Sequence, residues 1–322
     1  MMTAPASLDT IADQLATIDD VGIEREVAAG PFCTYRVGGP LAVLATVATP
    51  AAAAEVARVL ADHDAPRLTI GNGSNLLVAD AGFAGVAIRL SGTCAEVHVD
   101  DAAATATAGA AALLPRVARA TVAAGLRGFE WAVGVPGSIG GAVCMNAGGH
   151  GSDMSASVRS IDHVDLRTGA RTERAVDTLD FAYRHSNLGA DDLVLAATLT
   201  LEPGDRSEGE ALLRDIVAWR RANQPGGANA GSVFTNPAGD SAGRLIDVSG
   251  AKGFRIGSAE VSEKHANFIQ ADDGGSADDV VAVMAHLVDL IEAGHGIRLS
   301  AETRLVGFTP DVVAHVQSGE QP

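Results

Sequence analysis

The sequence predicts an α+β protein whose first two-thirds carries glycine-rich loops and whose last third, from about residue 206, is a separate α+β module. Three observations predict it. Short runs such as residues 158–166 and 193–201 alternate apolar and polar side chains, as half-buried strands do, and residues 41–47 are β-like. Several longer segments carry helical apolar spacing behind clear start signals. Glycine is concentrated in Gly71-Asn72-Gly73-Ser74-Asn75 and in residues 127–154, RGFEWAVGVPGSIGGAVCMNAGGHGSDM, rather than scattered. Such runs disfavour helix and strand, and suit places where backbone must approach something closely.

In chain order, residues 7–18 have the spacing of a short leading helix. Residues 41–47 read as a strand, and Thr49-Pro50 then opens an alanine-rich helix to about residue 63, threonine capping and proline filling the first turn. Residues 67–70 form a strand that delivers the first glycine loop, and residues 86–90 form another. Residues 95–100 and 103–108 read as a hairpin around Asp100-Asp101, and residues 113–124 as a helix ending at Gly125. The break Pro203-Gly204-Asp205 is read as a domain boundary. Beyond it, Ser207 to Glu210 has the pattern of a capping box for a helix to about residue 222. Ser276, with Asp278 and Asp279, starts a helix expected to end at Gly294, and residues 223–241 between the two helices are loop-rich. After residue 310 the sequence offers no readable signal.

Composition narrows the function classes. With a net charge of -17 the chain lacks the basic stripe that nucleic-acid binding needs. An anionic substrate must therefore be met by a local group of arginines and lysines. Three widely spaced cysteines, Cys33, Cys94 and Cys144, form no CxxC pair, so neither a disulfide framework nor a metal site is expected. The N-terminal segment lacks the basic and apolar regions of a secretory signal, and residues 41–60, the nearest approach to a membrane span, are interrupted by Pro50 and Glu55. A soluble, cytoplasmic protein, without nucleic-acid or membrane partners and monomeric, is expected.

The glycine loops admit two readings each. Gly71 to Asn75 combines open backbone N–H groups with side-chain donors, which suits a pyrophosphate; a tight turn with capping asparagines is the plainer account. It is neither a GxxxxGK[ST] loop nor a GxGxxG fingerprint. Pro136-Gly137-Ser138-Ile139-Gly140-Gly141-Ala142 either opens a short helix towards a phosphate or packs closely through small residues. Two such loops together favour a dinucleotide. Tyr35-Arg36-Val37-Gly38-Gly39 adds a third glycine pair with a cation. Three further residues are weak signals singly: Arg184 in FAYRHS, Ser232 behind a glycine in NAGSVFTNP, and Glu302 in GIRLSAETR. An exposed arginine, a capping serine and a solvated glutamate are their ordinary roles.

Taken together, TYRVGGP, GNGSNLLV, GLRGFEWAVGVPGSIGGAVCMNAGG, FAYRHSNL, NAGSVFTNP, VSEKHANFI and GIRLSAETR, in that order over residues 34–307, resemble the UDP-N-acetylenolpyruvoylglucosamine reductase (MurB) family of peptidoglycan precursor synthesis. The resemblance implies an FAD-binding domain of the vanillyl-alcohol-oxidase (PCMH) type in two subdomains, followed by an α+β substrate-binding domain. On this scheme residues 1–33 are a helical lead-in, 34–205 the FAD domain (subdomains about 34–92 and 93–205), 206–310 the substrate domain and 311–322 a tail. Non-covalent FAD would be held by Tyr35, Arg36 and Gly38, by Gly71, Asn72, Gly73, Ser74 and Asn75, by Gly134, Val135, Pro136, Gly137 and Ser138, and by Gly140, Gly141, Ala142, Asn146 and Gly148.

The implied reaction uses NADPH to reduce UDP-N-acetylglucosamine enolpyruvate to UDP-N-acetylmuramate. Hydride reaches the terminal enol-ether carbon, leaving enolate-like charge on the carboxylate. Arg184 is a permanent cation suited to that charge, Glu302 would polarise the carboxylate as a hydrogen-bond donor, and Ser232 would deliver a proton to the adjacent carbon. Residues 188–224 lack the tyrosine-bearing insertion of the longer class, so the chain resembles the shorter class. Thr235 stands where a lysine is common, which leaves Arg220, Arg221, Arg244 or Lys252 as diphosphate cations; Asn236 and His265 match substrate-contacting positions. A flavin oxidase or dehydrogenase of another alcohol or sugar, and a non-catalytic nucleotide-binding protein, are the alternative readings. The combination of Arg184, Ser232 and Glu302 disfavours both.

Overall fold

The computed structural model describes residues 7–318. Residues 1–6, part of the stretch read for a secretory signal, and residues 319–322, the end of the expected tail, lie outside the described residues.

The capping signals translate directly into local structure. Ser7 accepts the Thr10 N–H and starts Leu8–Leu15. Thr49 accepts the Ala52 N–H at 3.2 Å and starts Pro50–Ala61. Ser276 accepts the Asp279 N–H at 3.1 Å and starts Ala277–His295, which closes on Gly296 in the left-handed conformation, slightly later than expected. One cap differs. The helix Arg206–Asn223 is capped by Asp205, whose Oδ1 takes the N–H groups of Ser207 at 2.8 Å and Glu208 at 3.0 Å and also the Ser207 hydroxyl. A carboxylate one residue ahead of the first turn outcompetes the serine because it accepts all three bonds at once and complements the helix dipole.

Contacts divide the chain into two compact units interleaved in sequence. The first comprises residues up to Arg25, Ala42–Asn72 and Gly85–Arg220. It holds a four-stranded sheet in the order Val21–Ala28, Pro40–Val47, Phe83–Leu90, Arg67–Ile70, some of whose strand ends belong to the other unit. A five-stranded antiparallel sheet follows in the order Arg171–Ala175, Val158–Asp165, Asp192–Thr200, Thr105–Gly109, Val97–Asp100. The two long strands and Thr105–Gly109 are therefore its inner strands, and Val97–Asp100, the other arm of the expected hairpin, is an edge. Val43, Val56, Ile88, Val117, Ile161 and Leu195 are among the residues of its core.

The second unit comprises Glu26–Leu41, Gly73–Ala84 and residues from Arg221 onward. Ala277–His295 buries Val280, Val283, Met284, Leu287 and Ile291 and packs on a three-stranded sheet, Arg255–Ile256, Ala259–Val261, Ile269–Ala271. Tyr35, Val37 and Leu77 share this core with Phe234.

These units depart from the boundary expected at residues 203–205. Residues 76–78 pair in parallel with Arg304–Val306, and the Asp80 carboxylate accepts the Ala277 N–H at 2.9 Å and the Ser276 hydroxyl, so Gly73–Ala84 is bonded into the later unit. Conversely, most of Arg206–Asn223 stays with the first unit. Gly209 lies against Val122, and Ile216 approaches Gly134 so closely that a Cβ there would meet it at 3.0 Å. The tail, in which the sequence offers no readable signal, begins with a second Thr-Pro start and forms Pro310–Gln317, anchored by buried Val316 and by the Ala301 N–H on its carbonyl at 2.8 Å.

Candidate functional site

In the first unit, the two glycine loops meet. A Cβ on Gly71 would lie 2.5 Å from Ser138 Oγ, so only glycine permits this approach. Asn72 donates its side-chain amide to the Pro136 carbonyl, tying the loops together. Gly71, Asn72, Pro136 and Gly141 are exposed around this junction, whereas Ser138 is buried. The helix that follows, Ile139–Cys144, is a single short turn-and-a-half, and its first N–H groups are already engaged. Ile139 donates to Ala112 at 2.9 Å and Gly140 to Ala110 at 2.9 Å. This helix start is therefore not an open anion site; bare backbone around Gly71 and Gly141 is what the loops present.

The remaining glycines of the long segment answer to packing. Gly140 sits on Ala110, and Gly134 on Ile216 and the His150 ring. Gly148–Gly149 pairs with Ser152–Asp153 across a turn whose central residues, His150 at φ 52° and Gly151 at φ 86°, are both left-handed. That is the tight primed turn whose twist matches paired strands.

Arg184 lies in the same unit, at the tip of a turn closed by the Ala182 and His185 backbones, which exchange hydrogen bonds at 3.1 Å. Its φ of 54° is unusual for a residue with a side chain. Two neighbours hold the turn there. Buried Asn146, itself left-handed at φ 40°, donates Nδ2 to the Ala182 carbonyl at 2.9 Å while its Oδ1 accepts the Ser155 N–H at 3.0 Å. Ser186 donates its hydroxyl to the Cys144 carbonyl at 2.7 Å. The glycine-rich segment thus positions the arginine as well as the loop junction, and the Asn146 amide is directed to protein partners. The guanidinium lies 5.6 Å from the Tyr183 ring centroid.

Ser232 and Glu302 come together in the second unit. The Glu302 N–H donates to the carbonyl of Val233, next to Ser232, at 2.8 Å, and the Thr235 N–H donates to Ser300 at 3.0 Å. The Glu302 carbonyl accepts Asn75 Nδ2 at 2.9 Å, and Arg304 donates its N–H to the Asn75 carbonyl at 3.0 Å. Asn75, the last residue of the first glycine loop, therefore fixes the segment that carries Glu302 and leads into strand Arg304–Val306. Gly231, at φ 78°, lets the chain turn into this segment while its N–H donates to Asn229 Oδ1 at 3.0 Å. Tyr35 is fully buried behind the segment, beside Thr303, and burial pushes its phenol above the ordinary range; its ring is core. Arg36, by contrast, is exposed, at φ 58°.

The residues expected to meet the substrate divide sharply. Arg244 forms a two-pronged ion pair with Asp240, whose carboxyl it helps push down to about 2, and Lys252 bonds Asp247 at 2.8 Å. Both cations are thus already matched by carboxylates. Asn236 uses Oδ1 to accept the Ala242 N–H at 3.1 Å, and buried Thr235 bonds the Ser300 carbonyl. His265 is held with Nδ1 accepting the Asn267 N–H at 3.3 Å, edge-on to Phe268, and burial lowers its pKa. In the first unit Arg220 is half-buried, and burial lowers its pKa. Arg221, the fourth candidate cation, is exposed in the second unit.

With this geometry in hand, comparison with known proteins is decisive. Residues 223–306 match the family described as UDP-N-acetylenolpyruvoylglucosamine reductase, C-terminal domain, and residues 40–173 match an FAD binding domain. A UDP-N-acetylenolpyruvoylglucosamine reductase of Heliobacterium modesticaldum is 44% identical over 85% of this chain and 87% of its own length. The chain belongs to the UDP-N-acetylenolpyruvoylglucosamine reductase family. A second relative, UDP-N-acetylenolpyruvoylglucosamine reductase 2 of Symbiobacterium thermophilum, is 37% identical over 94% of this chain and 99% of its own. The crystal structure of UDP-N-acetylenolpyruvylglucosamine reductase (MurB) from Thermus caldophilus is similar at a TM-score of 0.76 and 34% identity, covering 89% of this chain and 99% of that one. The α+β class and the FAD-binding domain are thereby borne out. Among the described residues no helix is long and apolar enough to cross a membrane, and no group of histidine, cysteine and acidic residues is arranged to hold a metal.

Proposed function

We propose that this chain is the FAD-dependent reductase that converts UDP-N-acetylglucosamine enolpyruvate to UDP-N-acetylmuramate with NADPH, acting in the cytoplasm as a monomer. The observation that carries the reading is the direct backbone pairing of the Ser232 segment with the Glu302 segment, in a chain of this family.

The residues present fit FAD. Ser138 Oγ and Trp131 Nε1 are buried beside the glycine-rich segment without a hydrogen-bond partner among the described residues, and a Cβ at Gly71 would close the loop junction. Buried polar atoms left unpaired are costly, so they favour a ligand that supplies partners. Gly71, Asn72, Gly73, Ser74 and Asn75, Arg36 and Gly38, and Val135 to Ser138, Gly141 and Ala142 are the residues that would hold it. Gly134, Gly140 and Gly148 would support those loops through packing. Bound FAD supplies a hydride acceptor for NADPH and a hydride donor for the enol ether.

The chain's own residues do the rest. Arg184 stabilises negative charge developing on the substrate carboxylate, and Glu302 donates a hydrogen bond to the same group. Ser232 delivers the proton to the carbon bearing the ether oxygen, completing addition of hydride and proton across the double bond. Arg220 offsets the diphosphate charge, a role that Arg244 and Lys252 reach only by leaving their carboxylates. Asn236 and neutral His265 orient the sugar nucleotide.

The test is direct. Purified protein, supplied with FAD, is expected to be yellow and to oxidise NADPH much faster when the enolpyruvyl sugar nucleotide is present. Ser232→Ala is expected to accept hydride from NADPH normally yet reoxidise with substrate about 10²- to 10⁴-fold more slowly. A protein that stays colourless, or a Ser232→Ala variant that reoxidises at the normal rate, overturns the flavoenzyme and the proton-donor assignments respectively.

A further inference from the structure

Residues 232–235 are bonded along two edges. One edge is an isolated antiparallel bridge to residues 300–302. Phe234 faces Ala301 in an antiparallel bridge, so its own N–H and carbonyl point the other way. On that other side stands a side chain rather than a strand. Asn267 accepts the Phe234 N–H on Oδ1 at 3.0 Å and donates Nδ2 to the Phe234 carbonyl at 2.9 Å. Its backbone carbonyl also accepts the Val233 N–H at 2.9 Å. Asn267 is 4% exposed and Phe234 1% exposed, so no water competes for these bonds.

We infer that Asn267 is a positioning residue for Ser232, locking the register of the segment that presents the proton donor. The inference rests on the proposed role of Ser232. An amide that satisfies the donor and the acceptor of one residue allows that residue a single placement along the strand direction. A slip by one position turns alternate side chains to the opposite face, which here exchanges Ser232 with Val233. Ser232 is two residues from the clamped Phe234, so both share a face whose placement the amide fixes. His265 extends the lock, since its Nδ1 accepts the Asn267 N–H and so orients the loop that carries the amide.

The experiment compares Asn267→Ala and Asn267→Asp with Ser232→Ala in the FAD-loaded enzyme, following the two half-reactions separately and the amide exchange of residues 231–236. Asn267→Ala removes both side-chain bonds. Asn267→Asp keeps the acceptor but sets a carboxylate oxygen against the Phe234 carbonyl, and carries the test if the alanine variant does not fold. Flavin reduction by NADPH is expected within about twofold of the parent, and reoxidation by the enolpyruvyl substrate slower by about 10- to 100-fold, the cost of a misplaced reacting group. Exchange at Val233 and Phe234 is expected to quicken. The double variant Ser232→Ala/Asn267→Ala is expected to be no slower than Ser232→Ala alone, because the amide acts through the serine. Normal reoxidation in the Asn267 variants, alongside slow reoxidation in Ser232→Ala, overturns the inference and leaves the serine's role standing. So does an equal loss in both half-reactions with release of flavin, which marks a general structural role. Normal reoxidation in Ser232→Ala removes the premise instead.

Discussion

Arg184 and Ser232 are held in opposite ways. Arg184 sits on a turn of two central residues, in a left-handed conformation, with side chains of Asn146 and Ser186 as its principal moorings. Ser232 lies in an extended segment with an isolated antiparallel bridge on one edge and the Asn267 amide on the other. Each of the two segments depends on a buried asparagine, but for different reasons. In the turn, Asn146 opposes local strain; in the extended segment, Asn267 selects among registers that are locally equal in energy. The cation is thus placed by force and the hydroxyl by choice, and the two should fail differently when disturbed.

On the turn, the largest expected effect removes the cation itself. Arg184→Ala should slow reoxidation by substrate about 10²- to 10³-fold, as loss of a transition-state charge partner does, with flavin reduction by NADPH much less affected. Rapid-mixing measurements of the two half-reactions check this; an equal loss in both would assign Arg184 to nucleotide binding generally. Next comes Asn146→Ala, which leaves the Ala182 carbonyl and the Ser155 N–H without their partner. Such a buried loss costs about 1–3 kcal/mol, and thermal unfolding should fall by a few degrees, about 2–4 °C per kcal/mol in a chain of this size class. Because the turn is strained, substrate reoxidation should drop in the same variant.

How far could this have been read in advance? Thr49-Pro50 announces its helix because a cap and a fixed φ act locally, and Thr309-Pro310 carries the same residue pair before the last helix, where Thr309 makes no side-chain capping bond. The proposed catalytic positions, Arg184, Ser232 and Glu302, stand in sequence motifs. The contacts that hold their segments do not. Asn267 stood within VSEKHANFI, and its partner Phe234 lies 33 residues away. Strand Leu76–Val78 is three residues long, too short for a periodicity, and its partner is near the other end of the chain. Arg244 stands four residues from Asp240, a spacing visible in the sequence, whereas the half-burial of Arg220 is visible only in the fold.

Smaller effects sharpen the contrast. If strain is real at Arg184, then Arg184→Gly should be more stable than Arg184→Ala by about 1 kcal/mol, because glycine alone escapes the Cβ clash of a left-handed residue. Equal unfolding midpoints would show the turn to be relaxed. The corresponding handle on the extended segment is His265. Burial lowers its pKa in the fold, so the unfolded chain takes up its proton first as the solution is acidified. Its contribution to stability is therefore complete above the ordinary value of about 6.5 and declines as pH falls below that value. Ring-proton NMR should place the His265 midpoint below 6.5, and a midpoint above it would contradict the burial argument.

The interleaving of the second unit has a consequence for the nascent chain. Asn75, which grips the Glu302 segment, is translated 227 residues before it. While the ribosome works through that interval, the segment around Leu76–Val78 has its parallel partner still unmade. The later unit cannot finish as an independent, vectorially folded block; it waits for the last strand. Truncation before Arg304 therefore strands an apolar β segment near the beginning of the polypeptide, a ready target for chaperones and proteases, and premature stop codons late in the reading frame should yield unstable products rather than partly active ones.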